Sequence, residues 1–128
     1  MTADEKLVGG RLNAALTRAL VGIQMQYLGR GPKTASTFHY NNVVVTLMHD
    51  VLTAADKLVA QTHRRDAIVS IRHLYQEAMQ DDFNAAVERL TEREVVAFIS
   101  GNHIEPDIAA EIFILDTPIE NLGVPSKR

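Results

Sequence analysis

The chain contains no cysteine. That excludes disulfides, thiol catalysis and cysteine-ligated zinc or iron–sulfur centres, and fits a reducing compartment. It has no apolar run near the ~20 residues of a spanning helix, and the acidic start MTADEK lacks the basic opening of a signal peptide. A cytoplasmic protein that meets a membrane only through a partner is expected. An excess of basic charge is also missing. The net charge is −3 and the pI about 5.9, which argues against nucleic-acid binding.

Catalytic and metal-binding patterns are equally scarce. None of the five histidines forms an H-x-x-x-H or H-E-x-x-H pair. His39 and His49 have opposite strand parity, and His63 and His73 point to different sides of a helix, so no metal site is expected. Ser36, Ser70, Ser100 and Ser126 lack a G-x-S-x-G elbow. Asp81 and Asp82 are adjacent on a helix and diverge by about 100°, as solvated surface does. No nucleophile–base pair stands out, no cofactor is implied, and the chain reads as a non-enzyme.

What is present specifies a fold. At 128 residues with 46% hydrophobic content, the chain suits one domain able to bury its own core. Leu12, Leu16, Ala19, Leu20, Ile23 and Tyr27 recur at helical spacing and predict a helix over 5–28, ended by Gly29 as a left-handed cap and by Pro32. Residues 35–49 read as a hairpin turning at Asn41-Asn42. Thr53 and Asp56 resemble a capping box opening a helix over 54–61. A long helix over 64–90 carries a stripe of Ile68, Ile71, Tyr75, Ala78, Met79, Ala86, Val87 and Leu90, with Phe83 beside it. A second hairpin joins 94–100 to 107–115 through residues 101–106. The fold class is therefore α+β: a two-layer sandwich with a four-stranded antiparallel sheet from two hairpins, helices on one face, in the order α-β-β-α-α-β-β. The domain spans 1–116, and 117–128 form a tail that is a strap or a frayed end.

Strand parity divides the side chains. Phe38, Tyr40, Val43, Val45 and Leu47 share a uniformly apolar face, expected to meet the helices, and Ile108, Ala110, Ile112 and Ile114 share a face in the last strand. Thr37, His39, Val44, Thr46 and Met48 are expected outside, with Ala109, Glu111, Phe113 and Leu115, because Glu111 carries a charge. That outer face is still apolar enough for contact, so Val44, Met48, Phe113 and Leu115 are the expected homodimer interface.

Two cationic groups are candidates for binding. The stretch Gly29-Arg30-Gly31-Pro32-Lys33 is either a structural turn or a loop whose backbone N–H groups and two cations hold an anion. It follows a helix C-terminus, whereas phosphate loops usually precede a helix. Arg64 and Arg65 open the long helix, where the macrodipole disfavours cations, and Arg72 lies two turns beyond Arg65 on the same face. They either pair with Asp66 or Asp56 or await an acidic partner or ligand.

The Gly29–Lys33 stretch, the hairpin after it and Val51, Leu52, Thr53 and Leu58 resemble the MpsC-type small domain family. Arg65 and Arg72 match that family's helix arginines, and Phe113 and Leu115 match its F-x-L ending. Asp56 stands where the family usually has Glu, and Glu92 where a helix-ending Gly is common. The resemblance covers residues 5–116. It implies a cytosolic accessory protein near a bacterial sodium-linked, membrane-potential-generating transport system. On the charge pattern, Gly29, Arg30, Gly31, Pro32, Lys33, Arg65 and Arg72 are the expected contacts to an acidic ligand or partner, a membrane transporter subunit among the candidates. The alternative is a nucleotide- or phosphate-binding domain using the same residues.

Overall fold

A computed structural model describes residues 7–62 and 64–120, and its elements follow the expected order. Helix α1 (Gly9–Leu28) ends as its sequence dictates: Gly29 takes φ 75° and its N–H bonds Met25 O. Strands β1 (Thr34–Tyr40) and β2 (Val43–His49) pair antiparallel about Asn41-Asn42, with Tyr40 opposite Val43 and Phe38 opposite Val45. Asn41 supplies the positive φ of 59° that the turn needs. The capping box is present. Thr53 accepts from the Asp56 N–H, and the Asp56 carboxylate accepts from the Thr53 N–H, opening α2 (Ala54–Ala60).

Helix α3 (Arg65–Thr91) runs 27 residues and ends at Glu92, which adopts the left-handed conformation at φ 58° without being glycine. Strand β3 (Val95–His103) extends further than the sequence reading places it, so the connection to β4 (Ile108–Leu115) is shorter. The sheet order is β1-β2-β4-β3, which places the two hairpins side by side through β2 and β4. Residues 117–120 already pack on the domain. Ile119 is buried, and its N–H bonds Asn41 O at 2.8 Å, so the tail begins as a strap; residues 121–128 lie outside the described part.

The face assignment is inverted. Val44, Thr46, Met48, Ala109, Glu111, Phe113 and Leu115 lie under the helices, buried. Phe38, at 52% exposure, and Tyr40, at 74%, face outward, with Val43, Val45, Ile112 and Ile114 on the same side by register. Val44, Met48, Phe113 and Leu115 are at most 1% exposed. They are therefore core residues of the single chain and not an interface between copies.

The cause is on the helices. The buried stripe of α3 includes Arg72 and Gln76 between Ile68 and Met79, and α1 presents Thr17, whose hydroxyl reaches Thr37. Polar side chains on both helices need polar partners when buried, and the sheet face carrying Thr37, Thr46, Glu111 and Ser100 supplies them. Beside this row, Leu12, Leu16 and Leu20 of α1 and Met79, Phe83 and Val87 of α3 join Val44, Met48 and Phe113 in one core. Phe98 stacks at a tilt on Phe113, with centroids 5.1 Å apart, and edge-on to Phe83 at 6.2 Å.

Candidate functional site

The inner face carries one polar row straight across the sheet. Thr37, Thr46, Glu111 and Ser100 are cross-strand neighbours on β1, β2, β4 and β3. The Thr37 and Thr46 hydroxyls lie 2.7 Å apart. Ser100 Oγ donates to Glu111 Oε1 at 2.5 Å, and Gln76 Nε2 donates to Glu111 Oε2 at 3.4 Å. Burial pushes the Glu111 carboxyl up to about 7, against the opposing pull of the Ser100 hydrogen bond, the Arg72 charge and Gln76.

Arg72 lies beside this row, 1% exposed. Its Nε donates to Asn102 Oδ1 at 3.4 Å, and its guanidinium sits 5.5 Å from the centre of the Tyr75 ring. Burial pulls its pKa below the ordinary value, while Asp56, Glu111 and Asp107 act in the opposite sense. Arg72 Nη1 and Asp107 Oδ1 find no protein partner among the described residues. A surface role for Arg72 is therefore corrected. It does share a helix face with Arg65, but that face turns into the core.

Arg65 lies at the exposed end of the same face. It lines a cavity of about 510 Å³ with Lys57, Gln61, Glu105 and Asp107, a volume within the usual range for small-molecule sites. Its guanidinium stands 3.8 Å from Glu105, both side chains being largely exposed. Arg64 is paired locally, with Nε and Nη2 on the Asp66 carboxylate at 3.1 and 3.2 Å. A second cavity, about 100 Å³, is lined by Gln76 and Ser100, the two donors to Glu111, with His73 among others. It has room for a few waters.

The Gly29–Lys33 loop is a staple. Arg30 Nη1 donates to Leu52 O and Nη2 to Asp50 O, both at 2.9 Å, tying the end of α1 to the chain leaving β2. The Lys33 N–H donates to His49 O at 2.8 Å and opens the β1–β2 ladder, while its side chain is exposed. A Cβ at Gly31 would make ordinary van der Waals contact with Met25 and Val21 at 3.5 Å, so space there does not demand glycine. Gly29, through its left-handed conformation, and Arg30, through its two carbonyl contacts, thus serve the turn.

Among the described residues the histidines do not converge. His39 Nδ1 donates to Asn13 Oδ1 at 2.6 Å on the helix side, His49 is exposed on the opposite parity, and His63 lies outside the described residues. Asp82 accepts from the Tyr27 hydroxyl at 2.7 Å, which joins α1 to α3 and raises the Tyr27 pKa.

The remaining surface of note is the outer sheet face. Two wholly apolar rows cross it: Phe38, Val45, Ile112 and Ile99, then Tyr40, Val43, Ile114 and Ala97. The next row is Ser36, Leu47, Ala110 and Gly101, and the last is Thr34, His49, Ile108 and His103. No Asp, Glu, Lys or Arg occupies an outward position on any of the four strands. An antiparallel sheet that keeps one face in water normally alternates apolar with polar residues. This one is apolar on both sides, and that is why counting apolar residues failed to tell inside from outside. The usable signal in the sequence was the polar pair Arg72 and Gln76, four residues apart within the stripe of the long helix.

No helix among the described residues is long and apolar enough to cross a membrane. No solved structure matches the chain significantly. Among curated proteins, an uncharacterised protein of Bacillus subtilis (strain 168), YrhF, is 25% identical over 100 residues, which is 77% of this chain and 82% of that protein. Residues 9–117 match the family described as the Na+-translocating membrane potential-generating system (MpsC), from the first turn of α1 to just past β4. The match spans most of the chain and every element of the fold, and the chain belongs to the MpsC family.

Proposed function

We propose that this protein is a non-enzymatic accessory module of a sodium-linked, membrane-potential-generating system, engaging other protein chains, copies of itself among them, through the outer sheet face. The observation that carries this reading is the charge-free apolar surface built around Phe38, Tyr40, Ile99 and Ile112. A contiguous patch of this kind marks a contact with protein or membrane, and we take the protein contact as the reading. The family assignment supplies the membrane system, and the absence of a spanning helix among the described residues suits a regulatory or assembly role better than an ion-conducting one. Ser100 meets a buried carboxylate where a catalytic serine would meet a general base near substrate, and the adjoining cavity is too small for a metabolite.

The test is a deletion and add-back. Membrane vesicles from cells lacking this protein should build a smaller sodium-dependent potential. The purified protein should restore it, and the Phe38→Asp variant should not. An unchanged potential on deletion overturns the accessory role.

A further inference from the structure

We infer that the occupant of the outer sheet face is a second copy of this chain, stacked face to face in a four-layer α/β/β/α dimer. This rests on reading that face as a protein contact and names its partner.

Area is the first argument. Four strands about 4.8 Å apart, each with seven residues rising about 3.3 Å, make a face of roughly 19 by 23 Å. Each such face is about 440 Å² in plan, so pairing two copies covers on the order of 900 Å² before side-chain relief is counted, close to the ~1,200 Å² at which specific, stable interfaces begin. Phe38, Tyr40 and Ile99, each more than half exposed, are the anchors such an interface needs.

Self-complementarity is the second. A two-fold contact places a patch on its own copy, which any charge near the axis would oppose. This face has no Asp, Glu, Lys or Arg at an outward position.

Geometry selects the axis. Face-to-face stacking requires the two-fold to lie in the plane between the sheets. An axis running along the strands, between β2 and β4, returns each cross-strand row onto itself with its ends exchanged. The order β1-β2-β4-β3 then sets β1 over the other copy's β3. Tyr40 meets Ala97, Val43 meets Ile114, Phe38 meets Ile99, Val45 meets Ile112, and Leu47 meets Ala110 by register. Large side chains face small ones at Tyr40–Ala97 and Leu47–Ala110, where facing layers can interdigitate, and the other three pairs bring apolar side chains of similar size together. An axis across the strands at the sheet centre would instead lay the apolar end of the face on the end carrying Thr34, His49 and His103. Aligned sheets pack at about −30° and about 10 Å, which is compatible with these pairings.

The absence of cysteine makes the experiment clean. Sedimentation of the full chain should give twice 14.2 kDa at micromolar concentration. Phe38→Asp and Ile99→Asp, both on edge strands, should give folded monomers by circular dichroism, with at least a tenfold weaker association. Tyr40→Cys mixed with Ala97→Cys should cross-link with a short bismaleimide, and the mixture should exceed either variant alone. A monomeric wild type at 100 μM, or an Ile99→Asp variant that still dimerises, overturns the dimer. Cross-links no stronger in the mixture than in the single variants overturn the axis. If the chain is monomeric but still restores the vesicle potential, only the self-pairing fails. If it is dimeric but deletion leaves the potential unchanged, only the accessory role fails.

Discussion

Ser100 donates to Glu111 Oε1 at 2.5 Å from the directly opposite position on the neighbouring strand. This pair sits in the core, beneath Gln76 of α3, and it is where the protein should be most sensitive to pH. The folded-state pKa of Glu111 is raised from 4.5 to about 7. A carboxyl raised on folding carries no penalty while both states are protonated, below about pH 4.5. The unfolded chain ionises first, so stability falls as pH rises from 4.5 towards 7 and levels off above that. The full loss is on the order of 3 kcal/mol at about 1.4 kcal/mol per unit. Urea unfolding at pH 5 and pH 8 should show this decline in the wild type. Glu111→Gln should remove most of the decline and be the more stable protein at pH 8. An identical slope in both proteins would show that Glu111 does not titrate in this window.

Arg72 tests the same seam from the helix side. Its charge lowers the Glu111 pKa, although neither of Glu111's two hydrogen-bond donors is Arg72. Arg72→Met keeps most of the volume, but it removes the positive charge that acts on Asp56 and Asp107 and the donor to Asn102 Oδ1. At pH 5, where Glu111 is protonated, the variant should therefore already be destabilised, by roughly 3 kcal/mol, as when one partner of a buried charge set is removed. Its loss of stability with pH should extend to higher pH than in the wild type, because Glu111 then ionises later. A midpoint that does not move would separate the two residues energetically.

The elements were legible because local chemistry marks them. Gly29 caps, Thr53 and Asp56 close a box, and Asn41-Asn42 turns the chain, each within a few residues. The faces were not legible in the same way. Val44 and Val45 are neighbours of equal hydrophobicity, and only one is buried. Which of them faces inward depends on Gln76 reaching Glu111 across 35 residues of sequence, a tertiary relationship whose trace in the sequence is the polar pair Arg72 and Gln76 in the helix stripe. Glu111 misled for the same reason: a charge reads as surface until its buried partners are known. Arg30 illustrates the converse. A cation in a glycine turn reads as ready for an anion, yet its donors are spent on carbonyls of Asp50 and Leu52, some 20 residues away.

Glu92 and Gly29 occupy equivalent positions at the ends of the two longest helices, at φ 58° and 75°. A side chain in this region costs about 1 kcal/mol relative to glycine. Glu92→Gly should therefore stabilise the protein by up to about 1 kcal/mol, and Gly29→Ala should destabilise it by a similar amount. Open space surrounds the Cβ position at Gly29, so its cost is conformational and not steric. Thermal melts of the two variants should move in opposite directions. A Glu92→Gly variant melting below wild type would mean that the Glu92 side chain contributes more than its backbone costs.

Arg30 and Lys33 distinguish a staple from an anion loop. Arg30 bridges two carbonyls through separate Nη atoms, a fork that an ammonium cannot reproduce. Arg30→Lys should cost about 1–2 kcal/mol of stability, close to the cost of Arg30→Ala, because either change leaves the carbonyls of Asp50 and Leu52 without these donors. Lys33 contributes its backbone N–H to the ladder, so Lys33→Ala should stay within about 0.5 kcal/mol of wild type. Chemical denaturation of the three variants, repeated with 10 mM inorganic phosphate, settles the role of the loop. If phosphate stabilises the wild type and the gain is lost in Lys33→Ala, the loop binds anions in addition to turning the chain. Equal curves with and without phosphate leave Arg30 as an internal tie between the end of α1 and the exit of β2.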